Sequence, residues 1–262
     1  MDWRDSLRND KEDFVKNIRS VCIVGAGASG IAMAELAARH GITPLLTDAK
    51  ALDAKTAAAL SACGCKTQEG GHTRAFVNAA DCVVISPGVH TEVFFETFVD
   101  SDRPFVGEIE FGFWFCKSRD IVAITGTNGK STTTSMCAGL LEKTGRRVFA
   151  GGNLGTPFCA FADQAAADDI VVLELSSFQL ETTVSFTAHV AVLLNLQPDH
   201  LDRYAKLEEY YAAKDRIFET QTGGDVAVIA EALQKRYPAL KPRRVWVKGK
   251  RNDAFAREVG RA

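Results

Sequence analysis

The chain has 262 residues, 46% hydrophobic and 24% charged, with 31 Lys+Arg against 33 Asp+Glu and a formal net charge of −2 at pH 7. That length and apolar content suffice for one large folded domain or two ordinary ones, and they exclude a disordered tail or a disulfide-stapled miniprotein. The balanced charge offers no general excess to neutralise a nucleic-acid backbone or an anionic membrane.

Residues 1–13 are charged where a secretory signal needs an apolar stretch, and no run of about 18 apolar residues is present to span a bilayer. A soluble, cytoplasmic, monomeric chain is expected, with no nucleic-acid partner and no membrane insertion. The seven cysteines are odd in number and scattered, which predicts reduced, mostly buried thiols.

Apolar β-rich runs alternate with helix-period segments: Val21 to Val24, Gly30 to His40, Pro44 to Thr47, Ala51 to Ala62. Parallel strands need crossover helices, so this order predicts a doubly wound, Rossmann-like parallel sheet. The first run passes directly into Gly25-Ala26-Gly27-Ala28-Ser29-Gly30, and Asp48 ends the next strand. The pattern fits a dinucleotide fingerprint, with a helix N-terminus for the phosphates and an acid for a ribose hydroxyl. By itself it leaves NAD(P) or flavin, another nucleotide, or a merely tight turn all open. A further strand, Cys82 to Ile85, ends in the rigid turn Ser86-Pro87-Gly88 beside the same crevice. Phe111 to Phe115 reads as the last helix of this series, and the polar Lys117 to Asp120 sets the expected boundary between domains at 1–117 and 118–262.

The same grammar restarts with the strand Ile121 to Thr125, the loop Gly126-Thr127-Asn128-Gly129-Lys130-Ser131-Thr132 and a helix from Ser131 to Thr144. Backbone N–H groups of such a loop cradle phosphate oxygens, the lysine reaches the β/γ phosphates, and the following hydroxyl can ligate magnesium. Ile124 stands where the general P-loop pattern has its first glycine. Later strands are expected at Val148 to Ala150, Ile170 to Leu175, Val190 to Leu194 and Val226 to Ile229. Glu174 then lies at a strand end, where an open α/β sheet collects ligands, and His200 follows the end of the next strand. A lone histidine is more often structural, and Lys214 reads on spacing as a solvated helix lysine.

At these residues the sequence resembles the Mur ligase family. The loop Ile124 to Thr133 looks like that family's own P-loop variant, and four segments match in order: Gly151 to Gly155, Leu173 to Glu181, Asp199 to Tyr204 and Tyr211 to Ile217. Asn128 and the Glu174 to Glu181 run favour the members that add D-glutamate. The resemblance implies an α/β fold with a P-loop-type ATPase domain after the Rossmann-like one, and a final ligase domain that this chain is expected to lack. It implies ATP-dependent addition of D-glutamate to UDP-N-acetylmuramoyl-L-alanine in peptidoglycan synthesis, through an acyl phosphate and with Mg2+. Ser29 and Gly30 would face the diphosphate, Asp48 and Lys50 the uracil side, and Gly88 would line the crevice. Asn153, Ser176 and Gln179 would hold the muramoyl part. Gly126, Thr127, Asn128, Gly129, Lys130, Ser131 and Thr132 would bind ATP. Lys130, Glu174, His200 and Lys214 would serve catalysis, with Ser131, Glu174, His200 and a carbamylated Lys214 on the metal. Two competitors remain: a non-catalytic nucleotide-binding remnant, and an NAD(P)-dependent oxidoreductase, which would leave the Lys130 loop idle.

Overall fold

The computed structural model of the chain describes residues 2–248 apart from Leu154, Leu201 and Asp202. Two short helices open it, α1 (Trp3–Asn9) and α2 (Lys11–Lys16), each started by an aspartate that accepts a first-turn backbone N–H. There follow β1 (Ser20–Val24), α3 (Ala28–Arg39), β2 (Thr43–Thr47), α4 (Ala54–Ala62), β3 (Lys66–Gln68), α5 (Arg74–Val77), β4 (Cys82–Ile85), α6 (Thr91–Phe98), β5 (Phe105–Gly107) and α7 (Glu108–Phe115). The strands form one sheet in the order β3-β2-β1-β4-β5, every pair parallel. Helices on both faces explain why β1 and β4 are buried almost end to end and read as continuous apolar runs.

The second series comprises β6 (Asp120–Thr125), α8 (Lys130–Glu142), β7 (Val148–Gly152), β8 (Ile170–Glu174), α9 (Ser177–Leu180), β9 (Val190–Leu193), α10 (Leu207–Asp215), β10 (Val226–Ala230) and β11 (Arg243–Val247). It builds a second all-parallel sheet, β11-β10-β9-β6-β8-β7. The expected α/β class is therefore the one found. In the first sheet the strand order reverses between β1 and β4, and in the second β6 lies between β8 and β9. Ligand crevices of open parallel sheets form outside the carboxyl ends at such points.

Sequence periodicity misplaced or missed some elements. Asp53 caps α4 through Thr56 N–H, so that helix begins later than Ala51. Strands β3 and β5 have three residues each, too short for a period to show, and β11, which opens on two arginines, is mostly exposed. The seven cysteines are free thiols, of which Cys22, Cys82, Cys116 and Cys159 are buried. No helix among the described residues is long and apolar enough to cross a membrane.

Candidate functional site

A cleft of about 390 Å³ lies between the two sheets, with Ser29, Asp48 and Gly88 on one wall and Asn153 and Gln179 on the other. It brings together five of the eight residues expected to contact the UDP-sugar. Gly30 is not among the lining residues. A Cβ built there would stand 1.9 Å from the Gly25 carbonyl oxygen, so this glycine is required for α3 to pack on the strand end. Lys50 is exposed and outside the lining. Ser176 is turned inward as the N-cap of α9: its Oγ accepts from Gln179 N–H and donates to Gln179 Oε1. Asp48 braces the glycine turn, its two oxygens accepting from Ala26 N–H at 2.7 Å and Lys50 N–H at 2.8 Å.

In the second loop Gly129 stands at φ +83°, and α8 starts from it with no side-chain cap. The positive end of the helix is left to an anion. Asn195, just past β9, braces the loop. Its Oδ1 accepts from Thr127 N–H at 3.1 Å and Asn128 N–H at 2.9 Å, and its Nδ2 donates to the Asn128 carbonyl at 2.9 Å. Lys130 Nζ donates to the carbonyls of Gly126 at 3.0 Å and Thr127 at 2.8 Å, which holds the ammonium over the loop. Ser131 and Thr132 are exposed at its mouth.

Glu174 lies beside this loop, since Ile124 of β6 pairs with it across the sheet. It is 2% exposed; one carboxylate oxygen accepts from Asn153 Nδ2 at 2.8 Å, while Oε2 is buried with no hydrogen-bond partner among the described residues. A buried carboxylate oxygen with nothing to accept from is costly and marks a place for a cation or a donor.

Lys214 is 1% exposed, with Nζ 4.7 Å from the Tyr210 ring centroid. Burial, and then the nearby charge of Lys130, push its ammonium down to about 7 against an opposing pull from Asp199. The solvated-helix expectation for Lys214 is therefore corrected: the residue is interior. His200 has a left-handed backbone, φ 52°, and its ring lies 4.9 Å from that of Phe178. Its neighbours Leu201 and Asp202 fall outside the described residues.

Tyr210 was not singled out from the sequence. Its hydroxyl donates to Thr127 Oγ1 at 3.3 Å, its ring meets His200 at 5.8 Å, and it stands one turn before Lys214. The i, i+4 spacing was the available signal. Among the described residues no three His, Cys, Asp or Glu side chains form a metal-binding group. Magnesium needs no such cage, because it keeps several waters and takes one or two carboxylates together with substrate phosphates. The Glu174 oxygen, unpartnered among the described residues and beside the uncapped start of α8, fits that donor set.

A family model described as Mur ligase middle domain matches residues 124–259, and one described as Mur ligase MurD-like, N-terminal domain matches residues 19–95. The chain is 41% identical over 215 residues to a UDP-N-acetylmuramoylalanine--D-glutamate ligase of Desulfosudis oleivorans, covering 80% of this chain and 46% of that one. It is 42% identical over 212 residues to the protein of the same name from Chlorobaculum tepidum, covering 79% and 45%. The chain thus spans about half the length of the curated relatives it matches. Among solved structures, a UDP-N-acetylmuramate:L-alanyl-gamma-D-glutamyl-meso-diaminopimelate ligase from Neisseria meningitides superposes with TM-score 0.60 at 20% identity, over 87% of this chain and 78% of that one. A murein peptide ligase from Psychrobacter arcticus gives 0.55 at 18% identity, over 86% and 52%. At such identities the likeness concerns the fold.

Proposed function

The chain belongs to the Mur ligase family, and on that premise we propose that it forms the nucleotide-binding part of an ATP-dependent ligase joining D-glutamate to UDP-N-acetylmuramoyl-L-alanine. The first unit, up to about residue 117, takes the UDP-sugar in the inter-sheet cleft. The second, from about residue 118, takes ATP on the Lys130 loop. The observation that carries this reading is the position of Asn153. It lines the cleft, its side chain donates to Glu174 Oε1, and its backbone N–H donates to the Glu174 carbonyl at 2.9 Å. The sugar cleft and the phosphate site therefore share a wall, as a reaction between a substrate carboxylate and a γ-phosphate requires.

In the proposed reaction the alanyl carboxylate attacks the γ-phosphorus and displaces ADP, giving an acyl phosphate. The amine of D-glutamate then adds to the acyl carbon, and phosphate leaves from the tetrahedral intermediate as the amide forms. Lys130 and the open end of α8 hold the phosphates and offset the charge on the group in transfer. Glu174, His200, Ser131 and Lys214 would hold Mg2+. When bound, Mg2+ supplies further neutralisation of the β- and γ-oxygens. Lys214 suits conversion to an anionic oxygen donor, because burial lowers its ammonium to about 7 and so raises the share of neutral amine, the form that adds to carbon dioxide with loss of a proton.

Calorimetric titration of the chain with UDP-N-acetylmuramoyl-L-alanine and with MgATP tests the two sites. Phosphate release in the presence of both and D-glutamate, omitting each in turn, tests the reaction. Tight binding of NAD(H) with no binding of the UDP-sugar would overturn the proposal.

A further inference from the structure

Gln179 is 3% exposed yet lines the cleft. Its Oε1 is committed inward, accepting from Ser176 N–H at 3.0 Å and Ser176 Oγ at 3.1 Å. Its Nε2 lies 3.5 Å from Oε2 of Glu108, the first residue of α7. Glu108 is itself buried, and its other oxygen accepts from Cys159 N–H at 2.9 Å. A glutamine amide has one acceptor and two donors, and a half-turn about its last bond exchanges them at little intrinsic expense. Here the exchange would set Oε1 against the Glu108 oxygens and Nε2 against the Ser176 N–H. With Oε1 used by Ser176 and one Nε2 hydrogen directed to Glu108, the second Nε2 hydrogen is what remains for the cleft.

We propose that Glu108 is a positioning residue for substrate binding: from the first unit it fixes the Gln179 amide of the second so that an N–H, never a carbonyl, faces the bound ligand. The point of the cleft beside Gln179 is thereby made selective for an acceptor, a phosphate or carbonyl oxygen. This rests on the proposal that the cleft binds the UDP-sugar. It predicts something further, that a residue outside the cleft lining controls affinity through the orientation of another side chain.

Glu108→Gln keeps the shape and the acceptor for Cys159 N–H but presents an NH2 group to Gln179 Nε2, so two donors meet. In the 262-residue chain, UDP-N-acetylmuramoyl-L-alanine should bind about tenfold more weakly to this variant, the order of one lost hydrogen bond. The titration is run at a temperature where circular dichroism shows the variant fully folded, so lowered stability cannot account for the loss. The Gln179 side-chain NH2 signals in a ¹H–¹⁵N spectrum of the unliganded chain should shift and lose protection from exchange. The double variant Glu108→Gln, Gln179→Glu restores a donor to an acceptor between the two positions, so its melting temperature should recover toward that of the parent. Its affinity should not recover, because a carboxylate oxygen now faces the ligand.

Unchanged Gln179 amide signals in Glu108→Gln would overturn the proposal whether or not ligand binds, and so would an affinity within twofold of the parent. A parent chain that fails to bind the UDP-sugar would refute the proposed function, while the amide spectrum would still decide the role of Glu108.

Discussion

Glu110 on α7 gives the most direct test of how the two units are held together. It is fully buried. One oxygen accepts from three consecutive backbone N–H groups of the second unit, Val184 at 2.7 Å, Ser185 at 3.0 Å and Phe186 at 2.9 Å; the other accepts from Trp114 Nε1 at 3.1 Å and from Ser185 Oγ. Glu110→Ala strips the acceptor from four N–H donors at once. Each buried donor left unpaired costs about 1–3 kcal/mol. Water entering the vacated space serves part of them, which leaves a net loss of about 4 kcal/mol. At roughly 2–4 °C per kcal/mol for a chain of this size, the melting temperature should fall by about 10 °C. Glu110→Gln should lose only about 1–2 kcal/mol. Its remaining oxygen can face the three backbone N–H groups and Ser185 can turn its hydroxyl to accept, so only the Trp114 N–H is left in conflict. Scanning calorimetry separates the two variants, and in Glu110→Ala the single transition should begin to split as the units uncouple. Both variants melting within about 2 °C of the parent would refute the clasp.

Gly30→Ala should destabilise the chain by about 3 kcal/mol or more, because the new methyl meets the Gly25 carbonyl at 1.9 Å and backbone must move; an unchanged urea midpoint would contradict this. Lys214 titrates near 7 when folded against an ordinary 10.5, so the unfolded chain holds the extra proton between those values. The penalty for burying its charge is complete below pH 7 and absent above about 10.5, and stability should rise across that window by up to about 1.4 kcal/mol per pH unit. Lys214→Met should flatten that rise in urea titrations at pH 7 and pH 9, in metal-free buffer purged of carbon dioxide, and an identical slope would count against the burial. Lys130→Ala should weaken MgATP binding at least tenfold by calorimetry. It should leave UDP-sugar affinity within twofold, since Lys130 does not line the cleft.

The two parallel sheets were legible because buried parallel strands are written as uninterrupted apolar runs with glycine turns at their carboxyl ends. Val21 to Val24, followed by Gly25, shows both features, and Ile170 to Leu173 shows the apolar run. The position of Glu174 at a strand end was legible for the same reason. Spacing alone misreads Lys214, because its burial comes from the packing of α10 against the rest of the fold, and nothing in the local pattern of α10 distinguishes an inward lysine. Gly30 and Ser176 matched a binding motif, yet their surroundings give them packing and capping contacts. Pattern reports which residue types recur at a turn, whereas only the fold decides which way each side chain points. Glu108 and Glu110 escaped notice altogether, since two acids in an aromatic helix carry no periodic signal and become informative only once the opposing backbone donors are in place.

The two glycine turns look alike as strand, loop and helix, and their electrostatics explain why they should take different ligands. At the first, Asp48 already sets a carboxylate against the loop's own N–H groups, within 2.7 Å of Ala26 N. Further negative charge close to Asp48 meets a resident anion, so this turn suits a triphosphate less well than the second does. At the second, the oxygen on the loop N–H groups is the neutral amide of Asn195, and the ammonium of Lys130 is held over the loop. The helix behind it is uncapped. A triphosphate is held best where the Lys130 ammonium and the helix end add together. Glu174, whose Oε2 has no hydrogen-bond partner among the described residues, marks a place for a cation or a donor beside that loop, and a divalent ion held by its carboxylate would supply charge that offsets both the acid and a bound phosphate.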